Sequence, residues 1–567
     1  MPGDWMIVNN EDTGNYAYLD IEEPERSLRE YVNWAADRLP CDVWEVNAAT
    51  PDVCFCPSAA GEVLGERMMP QIVRYMEQEG GLRHRGGTGR PADGRSLAHI
   101  AYFIHRLSQT GRDVLQVQAD ELRRRDIRVV AEVRMSDTHH RVPDELDSMD
   151  GSALQVSEWV AEHPEYIIRR SDGIAEVALD YSHAEVREHR LAIISDLVTS
   201  RRIDGLSLNF NRWSKHFERD SGEQMAPVMT EFVGRIRAVL DDLARKRGAE
   251  RLLLGARVLS SVDESLHVGV DVGAMMQRGY LDYAVVSTQN ESRPDLRVEE
   301  FAELARGTDC RILGHMGDMI GGSWPGPPAA EERGLARNRD ATGYLSYLNT
   351  EEEARAVALN LRAWGATGIG FWNLPCNMNP FGGQKWGADP EQVERMIRWS
   401  NAVARPERIP AGPRRYHFLP TCKRDFVGVQ RNYAFCESGR NTRGGEYLGT
   451  VLHFNEGRRG LRQVFPFRMA DGRDGGRLAG RLRFRIFHCD ETDAVALDIN
   501  GAAVPEEAVT RTIDRSDPQL NWTWFEMSLA DCPPLRGDNE LGLTWHGGAE
   551  HGLDVPYLEE LDIRVER

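Results

Sequence analysis

The chain has 567 residues, 41% of them hydrophobic, and a formal net charge of −20. That length exceeds one ordinary domain and supplies enough core to fold without a metal or disulfide scaffold. The acidic balance argues against nucleic acid, which demands a basic face, and against an anionic membrane surface. There is no run of about 18 apolar residues, so no transmembrane helix is expected. The opening MPGDWMIVNNEDTGN lacks the basic and apolar regions of a secretory leader, so the chain as written reads as cytoplasmic. A secreted protein whose leader had been removed would read the same way. Nine scattered cysteines without paired CxxC spacing read as reduced thiols, and no metal or other cofactor is expected.

Eight short apolar runs recur along the first 400 residues: Met6–Asn9, Asp42–Val46, Ile127–Val133, Ile203–Leu208, Leu252–Val258, Leu281–Val286, Arg311–Gly314 and Gly368–Trp372. Continuous Val/Ile/Leu runs mark strands buried on both faces, and helices between them imply parallel pairing. The helical patterns cover Ser27–Leu39, Asp113–Arg125, His183–Ser200, Met225–Arg247, Gly269–Arg278, Glu299–Arg306, Thr350–Trp364 and Glu391–Ala404. Eight such units make a (β/α)8 TIM barrel, an α/β fold whose active site lies at the C-terminal ends of the strands. The segments 136–180 and 321–348 are too long for ordinary βα loops and read as walls or lids of a cleft. The stretch 405–415 is a proline-rich linker between a barrel at 1–404 and an all-β unit at 416–567. Short alternating runs in that last part, with an Asn500-Gly501 turn, predict a β-sandwich accessory domain.

The strand tips carry the candidate chemistry. The third strand ends in Arg134, Asp137, His139 and His140; the fourth in Asn209, Arg212 and Trp213. Gln289 and Glu291 follow the sixth, His315 and Asp318 the seventh, and Trp372 and Asn373 the eighth. Amides bond hydroxyls, arginine forks clamp carboxylates and indoles cover sugar faces, so this mixture suits a glycan. Asp137, Glu291 and Asp318 are the candidate catalytic carboxylates, with Glu11, Asp12 and Glu45 in reserve. Arg134, His139, His140, Tyr181, Asn209, Arg212, Trp213, Gln289, His315, Trp372 and Asn373 are the candidate substrate-binding residues. The adjacent histidines lack an HExxH-type helical partner, so proton transfer is favoured over metal binding there.

The strings VVAEVRMSDTHH, ALDYSHAEVREHRLAIISDLV, IDGLSLNFNRW and GVDVGAMMQRGYLDYAVVS resemble uncharacterised barrels grouped as family 10-like glycosyl hydrolases, over roughly residues 5–400. The C-terminal sandwich is similar to the module that usually follows those barrels. The resemblance implies a TIM barrel acting on a glycan. Where that group commonly carries Glu-Leu-Asp on the fourth strand, this chain has Ser207, Leu208 and Asn209. The leading expectation is a glycosidase that cleaves an oligo- or polysaccharide with two of the tip carboxylates. A polysaccharide lyase acting on uronates, with Arg134 or Arg212 neutralising the carboxylate, is the first alternative, and a non-catalytic glycan-binding barrel the second. The expected partner is carbohydrate, with no nucleic acid and no membrane; homo-oligomerisation is left open.

Overall fold

The computed structural model describes residues 5–81, 96–137, 154–169, 175–212, 214–218, 221–288, 291–321, 338–339, 345–381, 389–419, 452, 454–475, 477–517, 520–548 and 556–566. Eight strands form its centre: β1 (Met6–Glu11), β2 (Val43–Thr50), β3 (Arg128–Arg134), β4 (Gly205–Asn209), β5 (Leu253–Val258), β6 (Tyr283–Val286), β7 (Arg311–Met316) and β8 (Gly368–Phe371). Each pairs in parallel with the next, and β1 pairs with both β2 and β8, so the ring closes as a TIM barrel. The expected strands all form, with their ends moved by a few residues.

Helices follow the strands in turn: α1 (Pro24–Ala36), α2 (Val114–Arg123), α3 (Ala184–Thr199), α4 (Gly222–Arg247), α5 (Val272–Gln277), α6 (Val298–Leu304), α7 (Glu351–Ala363) and α8 (Pro390–Ala402). Local chemistry sets their ends. Asp113 caps α2 by accepting the Gln116 N–H, Asp389 does the same for α8, and Thr350 with Glu353 forms a capping box on α7. Their apolar stripes pack on the outer faces of the strands in one continuous core. Among the described residues no helix is long and apolar enough to cross a membrane.

The lumen explains where the site must lie. Its N-terminal half is plugged by Met6, Val8, Val43, Val130, Leu253, Val285 and Leu313, a cluster separate from the surrounding core. The inward positions nearer the C-terminal ends are polar: Glu45, Glu132, Arg134, Asn209, Arg257 and His315, all buried. Water and ligands can therefore meet the interior from one end only. At the other end, Asp42, Asp204 and Asp282 precede β2, β4 and β6, and each accepts a backbone N–H of the preceding strand: from Ile7 at 2.7 Å, Val129 at 2.8 Å and Leu254 at 2.7 Å.

The C-terminal unit is a sandwich of two antiparallel sheets around its own core. One sheet runs β9 (Arg414–Phe418), β16 (Tyr557–Val565), β11 (Gly480–Phe487), β14 (Leu520–Ser528), β13 (Thr510–Asp517); the other joins β10 (Arg462–Arg468), β15 (Asp538–Gly547) and β12 (Ala494–Ile499). β9 begins at Arg414, inside the stretch expected as linker. The Asn500-Gly501 turn forms as expected, with φ of 54° and 79°. LGTVLHF (448–454), one of the alternating runs that predict this sandwich, falls largely outside the described residues.

Candidate active site at the barrel mouth

Arg134 is the hub. It is the last residue of β3 and points inward, where its Nη1 donates to Asp137 at 3.0 Å and its Nη2 to Asp12 at 3.1 Å. Glu132, two positions earlier and on the same side of the strand, lies 4.0 Å from Nε. Burial opposes the guanidinium charge, but Asp12, Glu132 and Asp137 together hold its pKa above the ordinary arginine value.

Glu132 responds in the other sense. Burial pushes its carboxyl up to about 7, against the pull of Arg134 and of the Asn209 amide, which donates to Oε1 at 2.6 Å. A carboxyl that holds its proton near neutrality beside carboxylates paired to a fixed cation is the division of labour that acid–base chemistry uses. Arg212 sits within the same field: burial, with the like charge of Arg134, lowers it to about 10.

Beneath this group a second layer crosses the lumen. The Tyr283 hydroxyl on β6 donates to Glu45 on β2, the strand directly opposite, at 2.7 Å, and the Asn10 amide donates to the other carboxylate oxygen at 3.3 Å. The crossing needs Gly255, since a Cβ there would lie 2.0 Å from the Tyr283 ring. Arg257 donates through Nη1 to Ser287 Oγ at 2.7 Å and to His315 Nδ1 at 2.8 Å, and its guanidinium lies 4.4 Å over the Trp372 ring. With Nδ1 accepting, a neutral His315 carries its proton on Nε2.

The short helix Leu374–Met378 ties two carboxylates together. Its N-cap Asn373 donates to Asp12 at 3.1 Å, and Asn377 donates to Asp318 at 3.2 Å. Asn373 achieves this in the left-handed region, φ 50°, which asparagine tolerates better than most side chains.

The strand-tip reasoning thus brings Arg134, Asp137, Asn209, Arg212, His315, Trp372 and Asn373 into one mouth. Several take unexpected postures. Trp372 is 4% exposed and lies under an arginine rather than open to a sugar. Tyr181 is buried behind β3, where its hydroxyl donates to the Met135 carbonyl at 2.7 Å and accepts from Arg190. Asn209 spends its Oδ1 on the N–H groups of Asn211 and Arg212. Glu291 is buried on the loop after β6, bridged to Met319 beyond β7. His139, His140, Trp213 and Gln289 lie outside the described residues. Glu132 and Arg257 were not singled out from their strand-tip neighbours, although Arg257 is the one charge in LLGARV and Glu132 the one acid in RVVAEVR, and a charge inside a strand buried on both faces marks an inward polar position.

Among the described residues no group of three or more His, Cys, Asp or Glu is arranged to hold a metal ion. An apolar groove of about 320 Å3 between residues 57–69 and 101–108 shares no residue with the mouth.

No family model and no curated protein matches the chain. Similar solved structures include a Group IV chitinase from Ostrinia furnacalis in complex with allosamidin, at 12% identity over 71% of this chain and 100% of that one, TM-score 0.36. Others are a family GH18 chitinase from Cycas revoluta (10% identity, 70% and 99% covered, TM-score 0.35) and a chitinase-like agglutinin from Robinia pseudoacacia (11%, 69% and 99%, TM-score 0.34). At these identities and TM-scores neither an activity nor any side chain carries over from them. The family 10-like grouping has no matching family model behind it.

Proposed function

We propose that this protein is a glycoside hydrolase-like enzyme that cleaves glycosidic bonds of an oligo- or polysaccharide at the C-terminal mouth of its barrel. The observation that supports this reading is Glu132: a buried carboxyl held by the Asn209 amide and pushed up to about 7 by that burial, next to Asp12 and Asp137 salt-bridged to Arg134. In this reading Glu132 protonates the departing glycosidic oxygen. Asp137 or Asp318 is the nucleophile or the base that activates water, with Glu291 the remaining acidic candidate. Arg134 fixes Asp12 and Asp137 in orientation; Asn373 and Arg212 line the path of the sugar chain.

Three guanidiniums of the mouth, Arg134, Arg212 and Arg257, favour elimination on a uronate as the second reading, since each can offset a sugar carboxylate. One assay separates them: incubation of the purified protein with neutral and uronic polysaccharides, reading reducing ends and near-ultraviolet absorbance together. Hydrolysis yields reducing ends without absorbance and falls by about a hundredfold or more in Glu132→Gln, as loss of a general acid does. Absorbance growing with the reducing ends supports elimination instead, and no product from any polysaccharide refutes both.

A further inference from the structure

Arg257 is the least matched cation of the mouth. It is 2% exposed and faces the lumen on β5, two strands along the ring from Arg134 and in register with it through Asn209. Arg134 has two carboxylates within 3.1 Å, whereas Nη1 of Arg257 meets only a hydroxyl and a neutral imidazole nitrogen. Nε and Nη2 of Arg257 have no hydrogen-bond partner among the described residues. These two N–H groups form the straight edge of the guanidinium, the one that takes a carboxylate in two parallel hydrogen bonds. Trp372 against its face holds the plane of that edge fixed. A buried guanidinium with an unmatched fork is costly unless an anion completes it. The barrel mouth also holds acceptors: Oδ1 of Asn10 and Oδ1 of Asn373 are buried, have no hydrogen-bond partner among the described residues, and can receive hydroxyl protons.

Resting on the glycan reading above, we propose that the sugar bound at this mouth is acidic, a uronic acid unit whose carboxylate docks on the Nε–Nη2 edge of Arg257. Glu45 and Glu132 also face Arg257, so the carboxylate is accepted only in register with the fork, which selects orientation as well as charge. Neutral sugars leave the fork unmatched and bind poorly.

Binding by the full chain tests this without turnover. Titration calorimetry with D-glucuronate and D-galacturonate, against D-glucose and D-galactose, is expected to show binding of at least one uronate and none of the neutral sugars at equal concentration. Arg257→Lys keeps the charge but loses the fork, and is expected to weaken uronate binding by about tenfold or more at an unchanged melting temperature. Arg257→Gln removes the charge and is expected to abolish binding; if that variant fails to fold, the lysine variant decides. Equal binding of neutral and acidic sugars, no uronate binding, or wild-type affinity in Arg257→Lys each overturns the proposal. Cleavage confined to neutral polysaccharides would end this inference and leave the hydrolase reading intact. Uronate binding without any cleavage would do the reverse.

Discussion

Glu132 and Arg134 leave β3 on the same side, two residues apart, and their surroundings push their charges in opposite senses. For Glu132 burial outweighs the neighbouring guanidinium, so its carboxyl pKa rises to about 7. The consequence for stability has a definite sign. Folding takes up a proton, so the contribution is full below the ordinary carboxyl value of 4.5 and is lost as pH rises through about 7. Glu132→Gln is therefore expected to narrow the difference in melting temperature between pH 5 and pH 8 while removing activity; an unchanged difference would contradict the assigned protonation. In the wild type, a proton donor of this kind gives a rate that falls as pH rises through about 7. Asp137→Asn is expected to cost about a hundredfold or more in turnover with the circular dichroism unchanged, since Asp12 still pairs Arg134. Near-normal turnover would remove Asp137 from the machinery. None of these environments was legible in the sequence. Glu132 and Glu45 lie inside apolar strands rather than at their tips; which lumen residues meet depends on ring closure, which brings β2 opposite β6.

At the scale of elements the sequence was far more legible. Each barrel strand is an apolar run because both faces are covered, and each helix repeats a stripe every three or four residues. Two sandwich strands carry a weak sequence pattern for physical reasons. β10 contains Pro466 and lies at a sheet edge, where a missing N–H is tolerated but the strand pattern is broken. β13, TRTIDRSD, is another edge strand and polar enough to read as a loop. The aspartates before β2, β4 and β6 were visible as CDVW, IDGL and LDYA, but their role as staples between neighbouring strands needs the ring. Asp204→Ala leaves the Val129 N–H without its acceptor and is expected to cost about 1–3 kcal/mol in denaturant unfolding. Asp204→Asn, whose amide oxygen can still accept, should cost less; equal losses would assign the effect to charge rather than to the hydrogen bond.

For the whole molecule, the barrel and the sandwich are joined through α7. His417 on β9 is buried between carboxylates, its Nδ1 2.8 Å from Glu353 of the α7 cap and its Nε2 2.9 Å from Glu560 of β16. Both ring nitrogens must donate, so the ring is an imidazolium. Burial and Arg415 oppose that charge, but Glu353 and Glu560 hold the pKa above the usual imidazole value. Glu353 in turn is drawn down to about 2, because Arg415 and His417 outweigh its burial. The His417 contribution is thus present below the ordinary imidazole pKa and lost as pH rises through the elevated value. Thermal unfolding followed as pH rises from below to above the ordinary imidazole value is expected to show a loss that His417→Gln lacks. The direct test of the central claim concerns the carboxyl at the barrel mouth itself. A pH titration of the protonated carboxyl band by infrared difference spectroscopy, wild type minus Glu132→Gln, should show one buried group with a midpoint near 7. A midpoint in the ordinary glutamate range, or no difference between the two proteins, would contradict it.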